Sequence, residues 1–453
     1  MLYWVMLSDV IAAVSTPPGR SAIAVVRISG TGAHDLSAKV IEGFTALPYR
    51  TVRHARIKDS KSGEHIDDVL YTVFPEDGSY TGEELVEIST HGGLLAPTET
   101  LRALLAVGAR QAAPGEFTRR AVLNGKMDLL QAEAVLDLID ATAPLQRKMA
   151  LNQMDRGLSR RIAALRERAI ELEALLGYEI DFPEEDSGPL KPERIDASLK
   201  RLTDDLKTLL KTGAEGERLR EGALAVVAGQ PNAGKSSLFN ALVGRERAIV
   251  TEIPGTTRDA IEAHVTCDGF PFRLVDTAGL RRTEDRIEKI GVEVSMDFLL
   301  QADLVVYCFP ADNPLDETDA GFLEGLNCPV VLVETKADLK ESDSEKDENH
   351  ISVSAEKGTG LGELRSRLAR TAFQGFLNQA QIAPHLTRER HRIAVNTALD
   401  ELVQFGRVRS EGLEPAVSAV HITAAVRALE EVIGVVTTED VLERLFGEFC
   451  VGK

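Results

Sequence analysis

The sequence predicts a multidomain fold that combines a doubly wound, mainly parallel α/β sheet with an α-helical bundle and an α+β domain. Apolar strand-like runs alternate with glycine-rich loops and helix patterns between residues 219 and 380. Short β-type runs mix with helix patterns in the first 124 residues. On both sides of the α/β region, apolar residues recur at alternating four- and three-residue steps, which is typical of long packed helices.

The domain limits follow from these changes of pattern. We predict an N-terminal α+β domain over 1–124, a first helical part over 125–218, an α/β domain over 219–380 and a second helical part over 381–453. The simplest topology inserts the α/β domain between two halves of one helical domain. A chain of 453 residues with 43% apolar content is long enough to fill several cores.

The composition also indicates a compartment. The four cysteines, at positions 267, 308, 328 and 450, show neither paired metal-ligand spacing nor a disulfide framework, so we predict a reducing, cytoplasmic location. The apolar residues 1–7 are too short to span a bilayer and have no basic leader, and we do not interpret them as a targeting segment.

The most informative motif is GQPNAGKS at residues 229–236, between a buried-strand run and an apolar helix pattern. Its glycines allow successive backbone N–H groups to point at phosphate oxygens. Lys235 supplies positive charge to the terminal phosphates and is a predicted catalytic group, while the Ser236 hydroxyl is suited to Mg²⁺. This order of strand, loop and helix predicts a nucleotide phosphate site.

Further loops follow in the order that nucleotide hydrolases require. Asp276 ends a second strand-like run and begins the sequence DTAG, whose carboxylate can reach the Mg²⁺ shell. The intervening loop GTTRD at 255–259 offers Thr257 as a Mg²⁺ ligand. After a third run, Asp338 of the sequence TKAD can accept two hydrogen bonds from guanine that adenine cannot offer. The predicted nucleotide is therefore GTP.

Two details refine the hydrolysis mechanism. Leu280 follows DTAG, where many signalling GTPases have a water-orienting glutamine, so another polar group must act. The acidic loop offers Glu284, Asp285 and Glu288, of which we interpret the first two as solvated loop residues. The amide oxygen of Asn232 is placed to help hold a monovalent cation beside the phosphates.

At this point the chain resembles the tRNA-modification GTPases called MnmE or TrmE, nearly from end to end. The resemblance is carried by TPPGR at 16–20, VRISG at 26–30, YTGE at 80–83, HGG at 91–93, PGEF at 114–117, LNGK at 123–126 and CVGK at 450–453. The order of these motifs around a GTPase module is more specific than any one of them.

The resemblance implies roles for individual residues. Glu288 matches the catalytic glutamate that positions water, and Ser236 and Thr257 match the Mg²⁺ ligands. The potassium ligands that it implies, which order the first switch loop when two modules meet, are Asn232, Thr251, Ile253 through its carbonyl and Thr256. The complete predicted GTP-binding set is Asn232, Ala233, Gly234, Lys235, Ser236, Ser237, Thr251, Glu252, Ile253, Pro254, Gly255, Thr256, Thr257, Asp276, Thr277, Ala278, Gly279, Thr335, Lys336, Ala337, Asp338, Ser354, Ala355 and Glu356.

The N-terminal domain, by the same resemblance, binds a reduced one-carbon tetrahydrofolate and mediates dimerisation. The matching residues are Arg27, Glu87, Lys126 and Lys453. Cations suit the glutamate carboxylates of a folate, and a carboxylate suits the N–H edge of its pterin.

Two positions depart from the family pattern. Thr335 stands where the family usually has asparagine, so a side-chain amide that would brace the phosphate loop is reduced to a hydroxyl. We expect weaker guanine affinity with unchanged base choice. Ser21 and Ala22 replace a pair of glycines, which leaves the backbone there less free.

The charge of the chain limits how it can bind RNA. A net charge of −19 argues against a wide nucleic-acid surface, so any tRNA contact must be local or shared with a partner. Two basic runs are the first places to examine, although we interpret both as solvated helix faces: Arg156, Arg160, Arg161, Arg166 and Arg168, and Arg388, Arg390 and Arg392.

Three functions remain open at this level. The first is a homodimeric, potassium-activated GTPase that acts with an FAD-containing MnmG-type partner, in a heterotetramer or larger complex, to place a carboxymethylaminomethyl-type group on C5 of the wobble uridine of certain tRNAs. The second is an Era-like ribosome-assembly GTPase, which would usually append a basic RNA-binding domain. The third is a membrane-remodelling GTPase, which would need a lipid-binding tip that the sequence lacks.

Overall fold

The structure, a computed structural model, describes residues 9–181, 192–244, 262–276, 297–339, 349–377, 384–435 and 439–453. Its contacts divide the chain into two compact units. Unit 1 comprises Met1–Leu136 with Ile433–Lys453, and unit 2 comprises Asp137–Val432. Residues 125–136, 433–435 and 439–453 thus group with the N-terminal segment, whereas the sequence pattern assigns them to the helical domain; the four domain limits themselves remain a prediction.

Unit 1 is built on a six-stranded sheet with the order β3-β4-β5-β2-β1-β6. All neighbouring strands are antiparallel except β1 and β6, which are parallel. The strands are β1 Ile11–Val14, β2 Ile23–Ser29, β3 Arg53–Lys58, β4 His65–Phe74, β5 Leu85–His91 and β6 Arg110–Gln111.

Helices cover one face of this sheet and supply the core of unit 1. They are α1 Ala33–Val40 and α2 Ala96–Ala106, which bury Val40 and Leu104 against the strands. On the opposite face, Phe117 of α3 Glu116–Leu123 packs on Ile11 and Ala13 of β1. The α+β prediction for this segment is therefore confirmed.

The C-terminal residues of unit 1 form a second apolar cluster. Helix α15 Glu439–Gly447 contributes Leu442 and Phe446, which pack with Leu129 and Leu136 of α4 Leu129–Asp140. The burial of large side chains such as these is worth roughly 1.5–3 kcal/mol each. This cluster holds the end of the chain beside the N-terminal segment.

Unit 2 contains the predicted α/β sheet, with the order β12-β11-β10-β7-β9-β8. Its neighbours are parallel except for the antiparallel pair β8 and β9. The strands are β7 Ala223–Gly229, β8 Glu262–Cys267, β9 Phe270–Asp276, β10 Leu304–Pro310, β11 Val330–Thr335 and β12 His350–Ser352. Because β10 is buried throughout and β7 is buried up to Ala228, both strands are continuous apolar runs, as is typical of parallel sheets.

Helices cover both faces of this sheet. One face carries α9 Lys235–Val243, α11 Leu361–Ala372 and the short α12 Gln374–Leu377. The other carries α10 Glu317–Glu324 together with the partly buried Phe298 and Leu299. The sheet therefore has the doubly wound form that the sequence predicts, and its strands end at the loops that hold the site.

Long helices of unit 2 come from both sides of the sheet in sequence. They are α5 Pro144–Met154, α6 Gly157–Asp181, α7 Pro192–Leu210, α8 Gly213–Glu221, α13 Glu389–Ser410 and α14 Pro415–Ile433. The predicted stripe on α6 is buried, including Leu158, Leu165 and Leu172. No helix in the described ranges combines the length and apolar composition that a membrane span needs.

The predicted basic runs are not simple solvated faces. Arg166 pairs with Glu430 at 2.6 Å, and the mostly buried Arg388 pairs with Asp137 at 2.6 Å. Arg161 donates to the carbonyl of Pro384, and Arg390 donates to that of Val432. Carboxylates thus neutralise Arg166 and Arg388, and carbonyl groups accept hydrogen bonds from Arg161 and Arg390, in each case from a segment that is distant in sequence.

Candidate functional site

The phosphate loop lies between β7 and α9, as the motif requires. Gly229 has a φ of 132°, and a Cβ there would lie 2.0 Å from the Cys308 carbonyl oxygen of β10, so only glycine fits. The exposed Asn232 adopts the left-handed φ of 59°, which asparagine tolerates better than most residues. The Lys235 ammonium donates to the carbonyls of Gly229 and Gln230 at 3.0 and 2.7 Å. The lysine is thereby held over its own loop.

Two predicted Mg²⁺-shell residues meet directly. The Ser236 hydroxyl at the start of α9 donates to Asp276 Oδ2 at the end of β9, at 2.7 Å. Asp276 is 2% exposed. Hard divalent cations prefer a hydroxyl and a carboxylate oxygen of this kind. The described residues of the site therefore fit the ion, although the second predicted ligand, Thr257, lies outside them.

Thr335 braces the phosphate loop despite its departure from the family pattern. Its hydroxyl donates to the carbonyl of Ala233 at 2.6 Å and lies 3.2 Å from the carbonyl of Phe309. The residue is 5% exposed, and Ala233 is fully buried. The hydroxyl that stands in place of the family's amide therefore still reaches the phosphate loop from β11, while the expected weaker guanine affinity stays a prediction.

A cavity of 270 Å³ lies beside this brace and gathers the residues predicted for the base. A hydrogen bond from the Ser354 hydroxyl, together with the residue's own backbone N–H, lowers the pKa of Asp338, so its carboxylate is ionised at neutral pH. The backbone N–H of Ala337 donates to the carbonyl of Val353 at 3.2 Å, which joins the two base loops. The lining residues are Gly234, Ser237, Leu238, Thr335, Lys336, Asp338, Leu339, Val353, Ala355 and Glu356.

Lys336 has an unusual backbone for its residue type, with a φ of 55°. Such strained conformations cost on the order of 1–3 kcal/mol and concentrate at ligand sites. Lys336 lies on the cavity wall, where its side chain can pack across the ring of a base.

A buried polar network behind the phosphate loop was not foreseen from the sequence. Gln230 donates to Asp319 Oδ2 at 2.6 Å and accepts from Asn313 at 3.0 Å, and Tyr307 donates to Asp319 Oδ1. Burial opposes ionisation of Asp319, but hydrogen bonds from Tyr307, the backbone of Asp316 and Gln230 hold its pKa below the usual value. Only the place of Gln230 inside the motif hinted at this network, since Asp319 belongs to no motif.

Two loops of the predicted site lie outside the described residues. They contain Thr251, Glu252, Ile253, Pro254, Gly255, Thr256 and Thr257, and Thr277, Ala278, Gly279, Leu280, Glu284, Asp285 and Glu288. The roles predicted for these residues remain predictions.

Unit 1 brings together several of the residues predicted for folate. Arg27 of β2 lies opposite Glu87 of β5 in the sheet register, and their side chains form an ion pair of 2.7 Å. The guanidinium also lies 5.5 Å from the ring centroids of Tyr80 and Phe117 and 3.5 Å from the carbonyl oxygen of Gly452. The arginine is thus packed between two aromatic rings, a carboxylate and the C-terminal tail.

The tail is fixed in this place by its backbone. Phe117 N–H donates to the carbonyl of Lys453 at 3.1 Å, and Val451 forms a β-bridge with Pro114. A Cβ at Gly452, where φ is 97°, would lie 2.6 Å from the carbonyl oxygen of Val14, so this position requires glycine. Lys453 therefore reaches the region of Arg27, as the folate prediction requires.

Lys126 contributes to the same region less directly. Its ammonium donates to the carbonyl of Asp77 at 2.7 Å, and its side chain borders Gly82, which follows the loop residue Tyr80 by two positions.

The exposed Cys450 precedes the bound tail residues, whereas Cys267 and Cys308 are buried. Burial raises the pKa of the Cys308 thiol to about 12, so that thiol is inert.

A buried arginine holds the loop that receives the tail. Arg120 of α3 is 1% exposed and pairs with Asp9 at 2.6 Å, with Glu116 at 3.0 Å and with Glu83 at 3.3 Å. Loss of one partner from a buried pair of this kind costs about 3–5 kcal/mol. The sequence places Arg120 next to the PGEF motif but gives no sign of its burial.

Comparisons with known proteins agree with these motifs. A family profile described as "MnmE helical domain" matches residues 129–450, and one described as "GTP-binding protein TrmE N-terminus" matches residues 10–126. The G domain of the iron transporter FeoB from T. maritima is 30% identical over 33% of this chain and 98% of that domain, with a TM-score of 0.26, too low to bear on the fold.

Among the three functional classes, full-length relatives support tRNA modification. The tRNA modification GTPase MnmE of Moorella thermoacetica is 41% identical, covering 99% of this chain and 100% of that protein. The protein of the same name from Alkaliphilus oremlandii is 37% identical over the same shares. With the phosphate loop, the Ser236–Asp276 contact and the base cavity in one site, the chain belongs to the MnmE family of tRNA modification GTPases.

Proposed function

We propose that this GTPase is activated by potassium and acts with an FAD-dependent MnmG-type partner. Together they add a carboxymethylaminomethyl-type group to C5 of the wobble uridine of certain tRNAs. A reduced tetrahydrofolate supplies the one-carbon unit when it is bound. The observation that carries this proposal is the convergence of Arg27, Glu87 and the C-terminal tail in unit 1, far along the chain from the GTPase motifs.

The cation part of the proposal rests on Asn232 and Ser236. Ser236 with Asp276 offers oxygen atoms to Mg²⁺, and Asn232 presents an exposed amide at the turn of the phosphate loop. Thr251, Ile253 and Thr256 complete the potassium set in this proposal, and Thr257 completes the Mg²⁺ set. GTP turnover should therefore be much faster in potassium than in sodium salts of equal ionic strength, and Asn232→Ala should erase the difference.

The folate part of the proposal rests on charge. Arg27 and Lys126 carry positive charge that suits the carboxylates of a folate, and Lys453 adds a third cation at the end of the docked tail. Glu87 accepts from Arg27 in this structure, and its 33% exposed side chain retains acceptor capacity for a pterin N–H edge. Tyr80 and Phe117 flank the guanidinium and narrow the directions from which a ligand can approach it.

The assembly part of the proposal follows the family. We infer a homodimer that joins the MnmG-type partner in a cytoplasmic heterotetramer or larger complex. Cycling of the GTPase between nucleotide states would drive conformational change in this complex.

Nucleoside analysis of total tRNA tests the proposed function. Cells that lack the gene should lose the wobble-uridine modification, and the wild-type gene should restore it. Complementation with Asp338→Asn is the matched control, because this change should leave the protein folded but weaken its binding of GTP. Unchanged wobble uridines in the deletion strain would refute the proposal.

A further inference from the structure

The exposed face of α7 differs from every basic run that the sequence singled out. Helix α7 carries two adjacent rows of cations, Lys200 with Lys207 and Lys211, and Arg194 with Arg201; Lys211 follows the helix and continues its last turn with a backbone bond to Lys207. All five side chains are exposed. Across the described ranges of the chain, none of the five forms an ion pair or a side-chain hydrogen bond. The arginines of α6 and α13, by contrast, are largely paired.

Helix geometry arranges these cations in two rows, which lie about 100° apart around the axis because Lys200 and Arg201 are consecutive residues. Residues seven or four apart lie on the same face of a helix, so each row is aligned along the axis. The opposite face buries Ile195, Leu202, Leu206 and Leu209 in the core. At 1.5 Å per residue, the rows extend for about 26 Å from residue 194 to residue 211. A surface of this length can face several phosphates of a nucleic acid.

Two of the four acidic residues of α7 lie beside cations of other helices, and one of these cations, Arg409, also pairs with Glu179. Asp205 pairs with Arg168, and Asp196 lies 3.5 Å from Arg409. Asp204 lies among the lysines on the exposed face, and Glu193 is exposed near the start of the helix. Cations therefore exceed uncompensated carboxylates along this face, in a chain whose net charge is −19.

Helix α13 adds one more cation, Arg392, near the Lys211 end of the two rows. A Cβ at Gly213 would lie 3.6 Å from the Arg392 side chain of α13, so Arg392 lies beside the turn that follows Lys211. Arg392 is exposed and pairs with Glu389 at 3.3 Å, a surface pair that contributes little and is readily exchanged for another anion.

We propose that the rows Arg194, Lys200, Arg201, Lys207 and Lys211 form a surface that contacts the sugar–phosphate backbone of the tRNA substrate. The inference rests on the tRNA-modification function and names a binding surface for it. Lysines without fixed partners act as point charges for phosphates and read no base, so the contact supplies affinity and orientation but no sequence preference. It also gives a protein of strongly negative charge a local site for RNA.

Charge reversal on α7 tests this proposal in the full-length protein. Lys200→Glu with Lys207→Glu should weaken the binding of unmodified tRNA by about 10-fold or more at low salt, and should reduce the slope of log K against log salt by about 1.5 or more, since each phosphate contact contributes roughly 0.7–0.9. The control is Lys61→Glu with Lys148→Glu, which makes the same change of net charge at exposed lysines outside α7. Basal GTP hydrolysis should be unchanged in both variants.

The outcomes separate this proposal from the proposed function. Equal tRNA affinity and salt slope in the α7 and control variants would overturn the surface. If the reversal variant loses helicity, Lys200→Gln with Lys207→Gln decides by the same measurements. Loss of binding to an acidic protein partner with unchanged tRNA binding would also overturn it. Wobble uridines that remain modified in deletion cells would refute the proposed function. Weaker tRNA binding by the α7 variant would still support the proposed tRNA-binding surface.

Discussion

The nucleotide site of unit 2 and the Arg27 region of unit 1 were both expected from the sequence, but they are assembled in different ways. The nucleotide residues follow parallel strands whose carboxyl ends meet at one edge of the sheet, so their proximity follows from the order of the motifs. Arg27 and Gly452 stand near opposite ends of the chain and meet because α15 packs on α4 and the tail residues bond to the backbone of residues 114–117.

This difference predicts how each site responds to mutation. Changes in unit 2 should act on one chemical step or one ligand group, since the sheet itself holds each loop. Changes near Arg27 should act jointly, because the arginine, the carboxylate and the tail support one another. The following predictions test that contrast, beginning with the largest effect.

The largest effect is expected at Glu288. Leu280 cannot orient water, and removal of a water-positioning group costs on the order of 100-fold in turnover, about 3 kcal/mol, with little loss of ground-state binding. Glu288→Ala should bind GTP nearly normally and hydrolyse it very slowly, whereas Glu284→Ala should resemble the wild type. Single-turnover hydrolysis measures both, and a fast Glu288→Ala variant would show that this role is misassigned.

The second effect concerns the choice of base. Asp338→Asn replaces an ionised acceptor by an amide, and the loss of hydrogen bonds to a charged group costs about 1.5–3 kcal/mol, so GTP affinity should fall roughly 10- to 100-fold. Because Ser354 lowers the pKa of Asp338, the carboxylate should be lost only as the pH falls below 3.8, and wild-type affinity should stay flat above this value. Titration with GTP and with xanthosine triphosphate, which an amide can recognise, measures the change. Unaltered GTP affinity would argue against the base assignment.

The third effect should appear in unit 1 alone. Arg27→Ala, and separately deletion of residues 450–453, should each weaken tetrahydrofolate binding by about 10-fold, because a charged hydrogen bond is worth about 1.5–3 kcal/mol. The double variant should lose little more than either single change if the two features act jointly. Arg56→Ala is the control, since Arg56 pairs with Asp68 on the same sheet but near its edge. Calorimetry with folate and with GTP separates the sites, and full folate affinity in both variants would contradict the assignment.

The smallest effect is expected at Thr335. Thr335→Val keeps the shape but removes the hydroxyl that bonds the Ala233 carbonyl, so nucleotide affinity should fall about 5-fold, or 1 kcal/mol. Thr335→Ser should retain it. If the valine variant equals the wild type in equilibrium nucleotide binding, the brace does not act on the ligand.

The sequence alone predicted several strands of the GTPase sheet, together with the phosphate loop and the base loops that the structure describes. A motif such as GQPNAGKS predicts its chemistry by itself, because its glycine, lysine and serine residues lie close together in the sequence and serve the same phosphate ligand. The buried runs at β7, β9 and β11 also followed from composition, because a parallel sheet covered on both faces favours apolar residues, whereas the run of β10 was found only in the structure.

Only the tertiary structure decided which charged side chains face solvent and can bind a ligand, and which are paired within the fold. Arg166, Arg388 and the cations of α7 look alike in the sequence, yet the first two pair with carboxylates from distant helices, while the α7 rows face solvent. The same holds for Thr335, whose hydroxyl braces the phosphate loop, and for Asp319 behind Gln230. Residue type and local period determine the elements, but the partner of a side chain depends on packing between segments that sequence spacing does not encode.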